Sequence, residues 1–389
     1  MIDPRIARFR AEGAEPAMQI GFYAPLKAPN HPVPSGDRQM ARLLIEALRL
    51  GGHAVSLIST FRCFSATPDD AERARIAEGA RDEVASIAAQ WGDRPALTPD
   101  LIFAYHLYYK APDLIGAALA RRFDLPYVTA EASHAAKREG GPWQAGHALV
   151  EAAIREAAVN FCFTANDRLG LAEIVHESDR LIDLPPFIET SRYTRSPHPE
   201  TRHGTQLVTV AMMRPGDKLH SYRFLAAALM RLQHLDWRLT IIGDGPARSE
   251  VEAAFAPLPP DRLVWRGALA GDAVADALMT ADLFVWPGFN EAFGLSYLEA
   301  QACGRPVIAV RGEGTPSVVR DGTTGLLTAN HLADYAAAIA RLLTDPALRA
   351  AFGEAASAFV HGERTLAGAA ARLQSGLDRA RQPMNGAAP

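Results

Sequence analysis

The chain is poor in cysteine: Cys63, Cys162 and Cys303 are odd in number, far apart, and none stands in a C-x-x-C pair with histidine support. A disulfide framework and a cysteine zinc site are both disfavoured, and the thiols are expected to be buried in a reducing, cytoplasmic setting. No excess of one charge is present either. With 40 basic against 44 acidic side chains and a formal net charge of -4, the chain has no field with which to hold duplex nucleic acid by counterion release. Apolar runs are all cut by charge, Gly or Pro before they reach the roughly 18 residues that a membrane span requires. The first residues, MIDPRIARFRAEGAEPA, carry Arg5, Arg8 and Arg10 but neither a continuous apolar stretch nor a small-residue cleavage site, so export by that route is not expected. Three arginines support at most peripheral contact with the inner face of a membrane. Low-complexity tracts and short-period repeats are missing too.

What is present is core-forming sequence. Apolar residues make up 48% and charged residues 22%, the balance of a folded protein, and 389 residues exceed the roughly 250 to 300 that one core serves. Two domains are therefore expected. Short apolar segments alternate with amphipathic ones throughout, the pattern of repeated βα units in parallel sheets covered by helices. Strands are predicted at 18–24, 53–58, 100–105, 126–130, 158–163 and 179–184 in the first half, and at 206–212, 238–243, 262–265, 282–286 and 306–310 in the second. Between the first two, Ser35 to Asp37 offer caps, and Met40, Leu43, Leu44, Ala47 and Leu48 make one helical stripe ended by Gly51-Gly52. The prolines at 185, 186, 197 and 199 place a linker between 185 and 204. Residues 1–190 are expected to form one Rossmann-like domain and 191–363 another, with a helix at 364–381 packing back on the first and a frayed tail after it.

The most informative stretch is DLFVWPGFNEAFGLSYLEAQACGRPVIAVRGEGTPSVVRDGTTGLL, residues 282–327. It reads as a strand, a loop at its carboxyl end, a helix from near Phe293 to Cys303, and another strand. Ligands of open α/β sheets bind at such strand ends. Glu291 lies in the loop and Glu299 two turns into the helix, so both carboxylates can line one cleft. Around Phe293, Gly294 and Leu295 the first helical turn offers unpaired N–H groups, which suit a diphosphate. The bland alternative is a capping glutamate and a solvated one.

Taken together, E-A-F-G-L-x-x-L-E-A, then A-x-G-x-P-V-I-A, then D-G-x-T-G-L-L resemble family 4 of the retaining glycosyltransferases. The resemblance is strongest over 206–328 and thin before 180. It implies a GT-B fold, two Rossmann-like α/β domains facing a cleft, and transfer of a hexose-type sugar from a nucleotide-diphosphate donor to a glycan, lipid or small-molecule acceptor. Glu299 is implied to hold the ribose hydroxyls and Glu291 to contact the transferred sugar, with backbone amides of Phe293, Gly294 and Leu295 serving sugar and phosphate. In V-A-M-M-R-P-G-D-K, Lys218 and Arg214 form a cationic pair that could clamp a diphosphate leaving group. The arginine stands one place later than the family's usual spacing, with Met213 in its stead. Gly243 in G-D-G-P and Gly267 in R-G-A match the family's donor-pocket turns, although the first is also an ordinary strand-to-helix reversal.

In the first half, Gly36 sits where the family carries its glycine-rich loop toward the donor phosphates. His106, Glu131 and His134 follow two strand ends and are expected on the acceptor or sugar side, facing the cleft between domains; many family members carry histidine where Glu131 stands. L-P-P-F-I-E-T at 184–190 resembles the interdomain segment, with Phe187 replacing a glycine. No D-x-D metal site stands at a strand end, so neither metal nor other cofactor is expected. Other GT-B activities, a nucleotide-sugar epimerase or a sugar phosphorylase, and a non-catalytic sugar-nucleotide-binding partner in polysaccharide assembly are the alternatives. The family 4 motifs weigh against the epimerase, the lack of a suitably placed lysine for pyridoxal phosphate against the phosphorylase, and the two glutamates against the third.

Overall fold

A computed structural model describes residues 18–193 and 204–382. Arg5, Arg8 and Arg10, the linker prolines 197 and 199, and the tail from Pro383 lie outside the described residues. The chain divides into two compact units, Met1–Pro185 with Leu366–Pro389, and Pro186–Thr365.

Unit 1 runs β1 (Gln19–Tyr23), α1 (Gly36–Leu50), β2 (Ala54–Leu57), α2 (Asp70–Asp93), β3 (Leu101–Tyr105), α3 (Gly116–Phe123), β4 (Tyr127–Ala130), α4 (Gln144–Glu156), β5 (Val159–Cys162), α5 (Ala165–Ala172) and β6 (Leu181–Asp183). Unit 2 follows with β7 (Thr205–Val210), α6 (Asp217–Met230), β8 (Trp237–Ile242), α7 (Arg248–Phe255), β9 (Leu263–Gly267), α8 (Asp272–Met279), β10 (Leu283–Val285), α9 (Leu295–Ala302), β11 (Val307–Val310), β12 (Gly325–Thr328), α10 (Leu332–Thr344) and α11 (Pro346–Glu363). The last helix, α12 (Leu366–Ala380), returns to unit 1 and packs on α1 and β5.

Local chemistry accounts for these elements. Ser35 caps α1, its Oγ accepting the Arg38 amide at 3.2 Å, and the stripe Met40, Leu43, Leu44, Ala47 and Leu48 is fully buried. Strands β3, β4 and β5 are buried along their whole length, as expected of parallel strands covered on both faces. The cysteines are buried and make no disulfide, and burial pushes all three thiols up to about 12. One strand escaped the sequence reading. β12 has four residues, begins on a glycine and pairs with β11 at the sheet edge, too short to carry a periodic signal.

Both sheets are six-stranded and parallel, but their orders differ. Unit 1 has β2-β1-β3-β4-β5-β6, and unit 2 has β12-β11-β10-β7-β8-β9. In each sheet the chain builds outward in one direction, then returns to start on the other side of its first strand. The reversal falls between β1 and β3 in unit 1 and between β7 and β10 in unit 2. At such a point the loops diverge and leave a crevice at the carboxyl ends of the strands, so a ligand is expected there. No described helix is long and apolar enough to cross a membrane.

Candidate active site

The reversal point of unit 2 brings together two segments that are 73 residues apart. Lys218 stands in the first turn of α6, just beyond β7, and its ammonium forms an ion pair with Glu291 in the loop after β10. The Trp286 indole N–H donates to the same Glu291 oxygen at 2.9 Å, and the Lys218 ammonium lies 5.6 Å from the Trp286 ring centroid. Two further bonds pin the loop to α6: the Phe289 amide donates to Ser221 Oγ at 3.1 Å, and the Asn290 side chain donates to Asp217 Oδ1 at 3.0 Å. Side-chain exposures of 26% for Lys218 and 16% for Glu291 leave the pair reachable from solvent while removing most of its water.

The loop owes its path to glycine. Gly288 has φ 69°, and a Cβ there would lie 1.8 Å from the hydroxyl of Tyr297, which is buried under the loop and donates to the Trp286 carbonyl at 3.2 Å. Gly294, at φ 82°, caps α9 without a side-chain acceptor, so helix N–H groups face the loop with no side chain to satisfy them. The helix begins at Leu295, two residues later than the sequence suggests: Gly294 in the left-handed region ends the loop, and Phe293 is buried within it.

Glu299 lies one turn further on and is half-buried. Burial raises its carboxyl above the usual range, opposed by hydrogen-bonding contact with the Tyr193 hydroxyl and by the charge of Arg192. Gly243 and Gly267 end neighbouring strands and bond to each other, the Gly243 amide donating to the Gly267 carbonyl at 2.8 Å. At φ 149° a Cβ on Gly243 would sit 1.9 Å from the Ala211 carbonyl oxygen, so this glycine is required by packing whatever else it does. Met213 is fully buried, whereas Arg214 is only half-buried and its carbonyl accepts the Leu219 amide at 3.0 Å, closing the turn that presents Lys218.

Unit 1 has its own cluster at the β1/β3 reversal. Asp37 follows Gly36 at the start of α1, and His106 ends β3; His106 Nδ1 lies 3.3 Å from Asp37 Oδ1 and 3.7 Å from Glu131 Oε1 beyond β4. Both His106 (φ 62°) and Glu131 (φ 55°) occupy the left-handed region, a conformation costing roughly 1 to 3 kcal/mol for such residues. Backbone bonds hold them in it: the His106 amide donates to Ala130 and the Glu131 amide to Phe161. Burial pushes Glu131 up to about 7, against the opposing charge of His106. Burial works the other way on His106 but is outweighed by Glu131 and Asp37, which raise the imidazole to about 9. Asp37 is lowered to about 2, burial being overcome by its interaction with His106. Tyr105 Oη, His106 Nδ1 and Glu131 Oε2 are buried without a hydrogen-bond partner among the described residues, so the cluster is charged but not closed. Gly36 has a conformation open to any residue and nothing within 4 Å of a Cβ, so packing gives no reason for it.

His134 does not join this cluster. Its side chain is 2% exposed and meets His147 of α4 in a tilted ring contact, with centroids 4.7 Å apart. The sequence reading missed Asp37, Trp286, Ser221 and Tyr193. Trp286 lies inside the motif already singled out, five residues before Glu291; the others carry no local signal.

The family described as glycosyl transferases group 1 matches residues 204–345. The match falls wholly within unit 2. The matched residues include the Lys218–Glu291 pair, Glu299 and the Gly243 and Gly267 turns. A D-inositol 3-phosphate glycosyltransferase of Pseudarthrobacter chlorophenolicus is 30% identical over 291 residues, 65% of this chain and 65% of that one. Its counterpart in Acidothermus cellulolyticus is 31% identical over 283 residues, 63% of this chain and 60% of that one. The chain thus spans less than two thirds of the length of these relatives. Among solved structures, sucrose-phosphate synthase from Thermosynechococcus elongatus superposes with a TM-score of 0.72 at 18% identity, covering 93% of this chain and 98% of that one. Anabaena HepE in complex with UDP gives 0.70 at 16% identity over 93% and 100%. The fold is GT-B, and the stretch similar to glycosyl transferases group 1 lies in the second unit.

Proposed function

We propose that this protein is a retaining glycosyltransferase that moves a hexose-type sugar from a nucleotide-diphosphate donor to a hydroxyl of a glycan, lipid or small-molecule acceptor. The observation that carries the reading is the Lys218–Glu291 pair at the β7/β10 reversal, set beside the uncapped start of α9. An ammonium and a row of backbone amides complement a leaving diphosphate, and their effect is largest where charge grows in the transition state. Glu291 holds the Lys218 ammonium by its ion pair and is assigned to accept sugar hydroxyls. Glu299, one turn along, suits the ribose, and the Gly243–Gly267 strand ends suit the base. The HepE structure was solved with UDP, and the named relatives are glycosyltransferases, which favours a nucleotide donor here.

Front-face attack is the mechanism we favour: the acceptor hydroxyl enters on the side from which the diphosphate leaves, and the departing phosphate oxygen takes its proton. Lys218 and the α9 amides neutralise that oxygen, so the reaction requires no metal ion. Arg214 is assigned an auxiliary share in holding the diphosphate, weaker than that of Lys218. On unit 1, Gly36, His106 and Glu131 are assigned to the sugar or acceptor side; His134 is not.

Thermal shift against UDP, GDP and ADP, followed by release of nucleoside diphosphate from the matching sugar donors, tests the reading. The expected result is stabilisation by at least one diphosphate and turnover of its sugar, with the anomeric configuration kept in the product. Wild-type turnover in Glu291→Ala removes the site assignment.

A further inference from the structure

The histidine that left the expected site leads to a second one. His134, in the loop after β4, meets His147 and Glu151, which stand four apart on one face of α4. One ligand atom from each of the three lies within 4.8 Å of the other two. His134 Nε2 is 3.9 Å from Glu151 Oε2. Three ring nitrogens, Nδ1 and Nε2 of His134 and Nε2 of His147, are buried and have no hydrogen-bond partner among the described residues. Buried imidazoles left in this state are costly, and a shared ligand would satisfy the two Nε2 atoms.

The surroundings suit a cation. His134 Nδ1 faces Glu173 Oε2 at 3.4 Å, so the carboxylate favours the tautomer with its proton on Nδ1, which leaves Nε2 bare for a ligand bond. Glu151 gives its Oε1 to the Arg155 guanidinium at 2.8 and 3.0 Å, which orients Oε2 toward His134. With Glu151 28% exposed, the cluster has an opening to solvent on that side. At Gly170 of α5 a Cβ would come 2.6 Å from the His134 carbonyl oxygen, so the loop is held close by packing before any ion arrives.

We propose that His134, His147 and Glu151 form a site for a divalent transition-metal ion, with Zn²⁺ the expected occupant, bound through His134 Nε2, His147 Nε2 and Glu151 Oε2 and with one position left for water. Two neutral imidazoles and one carboxylate are a recurrent zinc set, and ligand atoms about 2.0 to 2.1 Å from zinc lie roughly 3.4 Å from one another, which the cluster reaches by small side-chain rotations. The ion would tie the loop that carries Glu131 to α4. It takes no part in the proposed transfer chemistry and does not depend on that proposal.

The test is metal content and affinity of the full chain. After stripping with chelator, the protein is titrated with Zn²⁺ in competition with a chromophoric chelator, and with Co²⁺ to read the ligand field. Binding of about one Zn²⁺, a Co²⁺ spectrum of low coordination number, and a rise in unfolding temperature with Zn²⁺ are expected. His147→Ala and Glu151→Gln should each abolish the tight site. Glu173→Gln should weaken it about 10- to 100-fold without removing it. Should His147→Ala fail to fold by circular dichroism, Glu151→Gln, nearly isosteric, decides the matter. No Zn²⁺ retained by the wild type, or equal affinity in wild type and Glu151→Gln, overturns the proposal.

Discussion

The two reversal points solve the same problem in opposite ways. In unit 2 a lysine from a helix start meets a glutamate from a loop, both partly exposed, and the neutral residues Gly288, Asn290 and Gly294 take the unusual backbone angles. In unit 1 the charged residues His106 and Glu131 take those angles themselves, inside the protein, with Asp37 as a third charge. A site that puts strain on the titratable residues also desolvates them, and here it pushes an acid up to about 7 and a histidine up to about 9. The unit 1 arrangement therefore responds to pH.

The contrast is broken most directly at Lys218. Lys218→Met should lower donor turnover by roughly 10²- to 10³-fold, the usual loss when one donor to a developing oxyanion is removed, read as nucleoside diphosphate released per unit time. A reduction under about fivefold would mean that this cation does not face the leaving group.

The pH response of unit 1 comes next. Glu131 is raised from an ordinary 4.5 to about 7, so its contribution to stability is present below 4.5 and is lost as pH rises through 7. His106 is raised from 6.5 to about 9, so its contribution is present below 6.5 and is lost as pH rises through 9. Asp37, lowered from 3.8 to about 2, contributes above 3.8 and loses that contribution as pH falls through 2. Urea unfolding of Glu131→Gln should therefore lack the decline between about 4.5 and 7, an effect on the order of 3 kcal/mol. His106→Asn, which tolerates positive φ, should remove the decline between about 6.5 and 9. Unchanged slopes in both variants would show that the cluster does not titrate as a unit.

Smaller effects separate the loop from the pair it carries. Ser221→Ala removes the acceptor of the Phe289 amide and should cost about 1 kcal/mol in unfolding free energy, with turnover reduced only as far as the loop wanders. Tyr193→Phe should alter nucleotide affinity only a few-fold, since Glu299 keeps its place in α9; a loss above tenfold would promote Tyr193 to a direct binding role.

The resemblance on which the site rests was legible because unit 2 packs its chemistry into one short segment. Loop, helix start and both glutamates lie between Asp282 and Ala302, so spacing alone brings them near each other. Lys218 was read as half of a cation pair with Arg214; its actual partner is Glu291, 73 residues away, and only the adjacency of β7 and β10 joins them. In unit 1 the residues were named but grouped wrongly. His134 was placed with His106 and Glu131 because all three follow strand ends, and nothing local shows that the chain bends toward α4 three residues after Glu131.

By itself the sequence determined which segments become strands and helices, since a buried parallel strand must be apolar throughout and a covering helix must carry a stripe, and both patterns are local. Which strand lies beside which, and therefore which charges meet, was decided only in the tertiary structure. Sheet order is set by packing over the whole unit, and a carboxylate carries no mark in the sequence of the distant ammonium or imidazole that will stand against it.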